Sequence, residues 1–230
     1  MKMIFESLVS NKNLTLLNIS RNKMTNESVE ELSTCLLNKL MLIKLYMDNN
    51  NIGPEGAMLL ADGLIDNTNL MNLHMANCNI GKDGARALSP IFGNKRNLSI
   101  LDLNNNRIQT DGCIAVMKEL KANVALTELY MNNNFIDIEG ALELAECLGN
   151  KKYIAELWLS NNNIMTKGAV AIGEALEDKK YLEVLIMKQN EINAEGVVAL
   201  QAGLMNSKNL KELNLSGNNI GDEGAQILAE

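Results

Sequence analysis

The sequence predicts an α/β solenoid of stacked 28-residue units, with parallel strands on one face and helices on the other. Three observations carry this. A Leu or Ile opens each unit at Leu14, Leu42, Leu70, Leu98, Leu126, Ile154, Leu182 and Leu210, with no insertion or deletion between them. A short alternating apolar pattern follows each opening residue, and a glycine leads into apolar residues at helical spacing. A period between about 20 and 50 residues marks units that bury their faces only by stacking.

Positions are counted from the opening residue of each unit as zero. Positions 3 and 5 are apolar throughout, as in Leu45/Met47, Leu101/Leu103 and Leu157/Leu159, with variable residues between. Period-two alternation of this kind predicts a half-buried strand, expected near 16–20 and every 28 residues onward. Position 8 is Asn22, Asn50, Asn106, Asn134, Asn162, Asn190 and Asn218, with Cys78 in the third unit. A stacked amide at this point can satisfy turn backbone in its own unit and the next. Position 14 is glycine in seven units, from Gly56 to Gly224, and Ser28 in the first. An acidic residue precedes it everywhere except at Lys167, where the helix dipole favours a negative charge. Apolar residues at positions 18 and 22, such as Leu60/Leu64, complete a helical face. Helices are therefore expected from the residue before each glycine to position 24, with the small residues letting helix approach sheet.

The whole chain, residues 1–230, reads as one domain. Residues 1–13 look like the tail of a preceding unit, with Ile4 and Leu8 at positions 18 and 22 and Asn11 at 25. The last unit stops at Glu230, early in its helix. Solenoids need polar caps, so Ile4, Leu8, Ile220 and Leu228 are expected to be partly exposed, or covered by a second copy. An excerpt of a longer protein, and a scaffold assembling through bare ends, are both consistent with this.

The repeated pattern, seen well in LIKLYMDNNNIGPEGAMLLADGL from Leu42 to Leu64, resembles the ribonuclease-inhibitor-like subfamily of leucine-rich repeats. That subfamily includes ribonuclease inhibitor, the sensor domains of NOD-like receptors and Ran GTPase-activating protein. The resemblance implies a horseshoe with the sheet on the concave face and the helices on the convex face. It implies no particular partner, because members bind unrelated ones.

A net charge of -7 argues against nucleic acid and anionic membranes and is compatible with a basic protein partner. No apolar run is long enough to span a membrane. Cys35, Cys78, Cys113 and Cys147 do not share a slot in adjacent units, so disulfides are not expected and a cytoplasmic, reducing location is. Sequons at Asn13, Asn18, Asn26, Asn97 and Asn214 point the other way, but several will arise by chance in so Asn-rich a chain.

Function is sought in the variable strand positions 2, 4, 6 and 7, expected to face the concave solvent. Position 4 reads Asn18, Tyr46, His74, Asp102, Tyr130, Trp158, Ile186, Asn214. This row holds the single Trp, the single His and two of the four Tyr of a chain that is 3% aromatic. Adjacent strands lie about 4.8 Å apart, so Tyr130 should touch Trp158 and His74 should touch Asp102. The expected protein-binding surface is Tyr46, His74, Asp102, Tyr130, Trp158 and Ile186, flanked by Glu128 and Glu156. Such a surface suits a partner with apolar groups ringed by basic ones. Phe135, at position 9, can extend it. Tyr153 and Tyr181 share a slot before the strand and read as local packing; Phe92 reads as core.

Catalysis is not expected. His74, Asp102 and Cys78 have the side-chain types of a cysteine hydrolase, but the ladder slot turns Cys78 inward. Asp48, His74 and Asp102 offer one His and no ligand pair at helical or turn spacing, which argues against zinc. The glycines lie a repeat apart and build no phosphate loop, and no cofactor is implied. The leading expectation is a recognition module that binds a protein through its concave face, alone or as the sensor part of a larger regulatory protein. A GTPase-binding or GTPase-activating role through edge loops, with Arg107 available, is the alternative from a different class.

Overall fold

A computed structural model describes residues 2–229. The strands are β1 (Leu16–Asn18), β2 (Lys44–Tyr46), β3 (Asn72–His74), β4 (Ile100–Asp102), β5 (Glu128–Tyr130), β6 (Glu156–Trp158), β7 (Val184–Ile186) and β8 (Glu212–Asn214). They form one eight-stranded parallel sheet in chain order. Residues 28 apart lie opposite each other, as Leu17 does Leu45 and Tyr130 does Trp158. The helices are α1 (Lys2–Leu8), α2 (Asn26–Leu36), α3 (Gly53–Leu64), α4 (Gly81–Asn94), α5 (Gln109–Leu120), α6 (Ile138–Gly149), α7 (Met165–Leu176), α8 (Ala194–Leu204) and α9 (Gly221–Ile227). Each packs on the next along one flank of the sheet.

The strands occupy only positions 2 to 4, because the chain turns soon afterwards. At position 7 the backbone is left-handed in every unit, as at Asn49 (φ 59), Asn77 (φ 55), Asn105 (φ 58) and Asn133 (φ 57). Asn tolerates this region better than other non-glycine residues. Position 7 is therefore a turn position, and not the strand-face slot expected. Inter-unit backbone bonds continue through the turn, with the Asn133 N–H donating to the Ser160 carbonyl at 2.9 Å.

The core lies between sheet and helices. Leu45, Leu73, Leu101, Leu129, Leu157 and Leu185 are buried, as are the position 18 and 22 residues of the helices that follow, except the half-buried Leu204. Burying each such side chain is worth about 1.5–3 kcal/mol. The helices begin at position 11 or 12, about two residues earlier than expected, and end at 22 or sooner in most units. Their glycines serve helix–helix contact more than the expected helix–sheet contact. A Cβ on Gly112 would sit 2.9 Å from the Ala85 Cβ, and one on Gly168 would sit 2.7 Å from the Ala141 Cβ, each in the preceding unit.

Two polar ladders run through the stack. Asn50, Asn106, Asn134, Asn162 and Asn190 point inward and are buried. Asn106 Oδ1 accepts from the Cys78 N–H at 2.9 Å, while its Nδ2 donates to the Met75 carbonyl at 2.7 Å and the Leu103 carbonyl at 3.1 Å. Asn22, in the first unit, is exposed, yet it still donates to the Ile19 carbonyl. The second ladder, at position 25, was not anticipated beyond Asn11. Its members Lys39, Asn67, Lys95, Asn123, Lys151 and Lys179 are buried. Lys95 Nζ donates to the Leu64 carbonyl at 2.7 Å, and Lys151 Nζ donates to the carbonyls of Leu120 at 2.8 Å and Asn123 at 2.6 Å. Each ammonium thus meets carbonyls at the end of the previous unit's helix, where backbone acceptors lack helical partners and the dipole favours a cation. Burial pushes the Lys95 pKa down to about 8 and lowers those of Lys151 and Lys179.

In α1 Ile4 is 57% exposed, as expected of an uncapped end, and Phe5 is buried. No strand precedes α1 among the described residues, so position 18 has no sheet to pack on, and α1 buries Phe5 among the core residues. Leu8, in the same helix, is half-buried; at the other end Ile220 is half-buried and Leu228 is exposed.

Candidate functional site on the open sheet face

Position 4 of each strand projects from the face opposite the helices, since positions 3 and 5 turn into the core. Strand register places Tyr46, His74, Asp102, Tyr130, Trp158 and Ile186 side by side. The first five are half-buried, because each covers part of its neighbours. Ile186 is only 4% exposed, so the expectation that it presents an open surface is corrected.

Two pairs of rings organise the row. Tyr46 stacks on His74 with centroids 4.7 Å apart and planes at 28°. Tyr130 and Trp158 meet at 5.7 Å and 44°. The expected His74–Asp102 approach is present, with Nδ1 3.8 Å from Oδ2. Beside the second ring pair, Glu128 and Glu156 sit directly opposite each other on β5 and β6. Like charges in that relation repel. The Tyr130 hydroxyl lies 2.7 Å from Glu128 Oε2 and 2.9 Å from Glu156 Oε2, and its one hydrogen can be donated to either. Trp158 Nε1–H donates to the same Glu156 oxygen at 3.0 Å. Burial and then the two carboxylates raise the Tyr130 pKa, so the phenol stays a donor. Among the described residues neither glutamate forms an ion pair.

Position 6 adds a second line of polar groups. Asp48 Oδ1 accepts from the Ala76 N–H at 2.8 Å, and Asn104 Oδ1 accepts from the Asn132 N–H at 2.7 Å. Burial pushes the Asp48 carboxyl up, against the Ala76 N–H that holds it down; Asp102 raises it further and His74 lowers it.

Cys78 points inward as expected. Its Sγ lies 3.2 Å from the Met47 carbonyl, and burial pushes its pKa up to about 12. A buried thiol of that pKa carries no thiolate for nucleophilic attack. All four cysteines are free and buried.

Outside the row, Phe135 is 58% exposed at the edge of the sheet, with a left-handed backbone (φ 57). Tyr153 and Tyr181 do pair, at 5.5 Å, but are exposed rather than packed away. Phe92 is core. The Glu128–Tyr130–Glu156 bridge went unread in the sequence, although position 2 carries Glu in both units and so signals it.

The model of the leucine-rich repeat family matches residues 10–33, 39–61, 66–89, 94–117, 179–200 and 206–229, more than half of the chain. The chain is a leucine-rich repeat protein. No curated protein matches the sequence of this leucine-rich repeat chain. Among solved structures it is similar to the actin-binding site 2 of leiomodin-1, with 19% identity, a TM-score of 0.46, and coverage of 79% of this chain and 86% of that one. It is also similar to the leucine-rich repeat ectodomain of the plant membrane receptor kinase GASSHO1/SCHENGEN3 from Arabidopsis thaliana, solved in complex with Casparian strip integrity factor 2. There the identity is 15% and the TM-score 0.42, and 93% of this repeat chain covers 34% of that one.

Proposed function

We propose that this leucine-rich repeat protein is a recognition module that binds a protein partner through its open sheet face, as a ribonuclease-inhibitor-like member of the family would. The observation that carries the reading is the pair of facing carboxylates, Glu128 and Glu156, capped by the half-exposed rings of Tyr130 and Trp158. Two anions held together without a counter-charge gain from a cation brought by a partner. The rings beside them supply the aromatic anchors that dominate interfaces. The partner is therefore a protein presenting Lys or Arg beside apolar groups. The net charge of -7 favours such a partner at long range. Four free buried thiols favour a reducing, cytoplasmic setting.

Affinity capture with wild type, followed by binding measurements on the recovered protein, tests this. Trp158→Ala should weaken binding at least about tenfold, or 1.4 kcal/mol. Glu128→Gln with Glu156→Gln should mainly slow association and flatten its salt dependence. A partner that binds Trp158→Ala as tightly as wild type sinks the reading, and cross-links mapping to the loop around Arg107 would favour a GTPase-type edge contact instead.

A further inference from the structure

We propose that Asp48, His74 and Asp102 form a binding site for a first-row divalent metal ion, Zn²⁺ above all, on the open face of β2 to β4. This is independent of the protein-binding reading, which rests on β5 and β6. The ligand atoms of the three side chains all lie within 4.8 Å of one another. A four-coordinate zinc with bonds of about 2.0–2.2 Å holds its ligand atoms about 3.3 Å apart. The present separations, of which His74 Nδ1 to Asp102 Oδ2 is 3.8 Å, lie within about 1.5 Å of that spacing.

The ligands are already oriented. Asp48 Oδ1 is held by the Ala76 N–H at 2.8 Å and Asp102 Oδ1 by the Asn104 N–H at 2.9 Å, which leaves the second oxygen of each for an ion. The imidazole is stacked on Tyr46 at 4.7 Å. Such outer contacts fix first-shell ligands in metal sites generally. One imidazole with two carboxylates is a mixed nitrogen–oxygen set, which suits zinc and its neighbours better than the all-oxygen cages of calcium or magnesium. Three protein ligands leave at least one position to solvent, as in open zinc sites. The ligand spacing missing from the local sequence is supplied by the repeat: positions 6, 4 and 4 of three successive units converge through the strand register.

The experiment is calorimetric titration of the folded chain with Zn²⁺, beside Co²⁺ absorption spectra of the same samples. Wild type should bind one Zn²⁺ per chain, and the Co²⁺ complex should show d–d bands without a thiolate charge-transfer band. His74→Ala and Asp102→Asn, with native circular dichroism, should each weaken binding at least about tenfold. Asp48→Asn, which keeps an acceptor for the Ala76 N–H, should do the same and serves if another variant misfolds. Absence of saturable binding overturns the proposal. So does binding that survives these substitutions, or a thiolate band that moves the ion to a cysteine.

Discussion

Lys95→Met should abolish a pH-dependent component of stability that the buried ammonium creates. In the fold Lys95 titrates at about 8, against 10.5 for an unburied lysine. Between those values the unfolded chain holds the proton and the fold has lost it, so stability rises with pH across that window and the penalty is fully present below it. At about 1.4 kcal/mol per unit of pKa the gap is worth about 3 kcal/mol. Relaxation of the surrounding structure offsets part of such a penalty, so about 1.5–2 kcal/mol is the expected size. The thiols act in the opposite sense. Cys78 is pushed up to about 12 and Cys35, Cys113 and Cys147 are also raised from 9.0. The unfolded chain sheds those protons first, so stability falls as pH passes about 9. Wild type alone therefore shows a rise that is cut short. The difference between wild type and Lys95→Met cancels the thiols and should grow by about 1.5–2 kcal/mol from pH 7 to pH 10.5. Urea unfolding at fixed pH values measures it. Two curves that stay parallel across this range would refute the claim that the Lys95 ammonium is desolvated.

Further outcomes are open to the same unfolding assay. Asn106→Ala leaves the Cys78 N–H and the Met75 and Leu103 carbonyls without their partner and should cost more than about 3 kcal/mol; a cost below about 1 kcal/mol would mean water replaces the amide. Leu157→Ala, in the centre of the stack, should cost about 2–5 kcal/mol, while Trp158→Ala next to it should fall well below that range; equal costs would make the tryptophan a core residue. Gly203→Ala should cost about 1–3 kcal/mol, because a Cβ there collides with the Gly173 carbonyl between α7 and α8. Gly149→Ala meets no atom within 4 Å and should be neutral or stabilising by up to about 1 kcal/mol.

The 28-residue register was readable from sequence because stacking repeats the same environment at the same interval. Leucine at positions 0 and 3, asparagine at 8 and glycine at 14 each answer one recurring demand: core volume, turn backbone and close approach. The opposition of Tyr130 to Trp158 and of His74 to Asp102 followed from that register, since one unit's length equals one step across the sheet. Features without a constant residue type were not readable. The position 25 ladder mixes Asn with Lys, and a lysine reads as solvated until helix-end carbonyls are seen around its ammonium. The burial of Phe5 beside an exposed Ile4 was not readable, because packing at the end of a stack follows the available neighbours and not the repeat. The glutamate pair bridged by Tyr130 and the convergence of Asp48, His74 and Asp102 depend on rotamers and on neighbours one strand away. Sequence alone determined which side chains share a row; only the tertiary structure decided which atoms in that row meet, because a row sets strand spacing while contact distance is set by side-chain torsions.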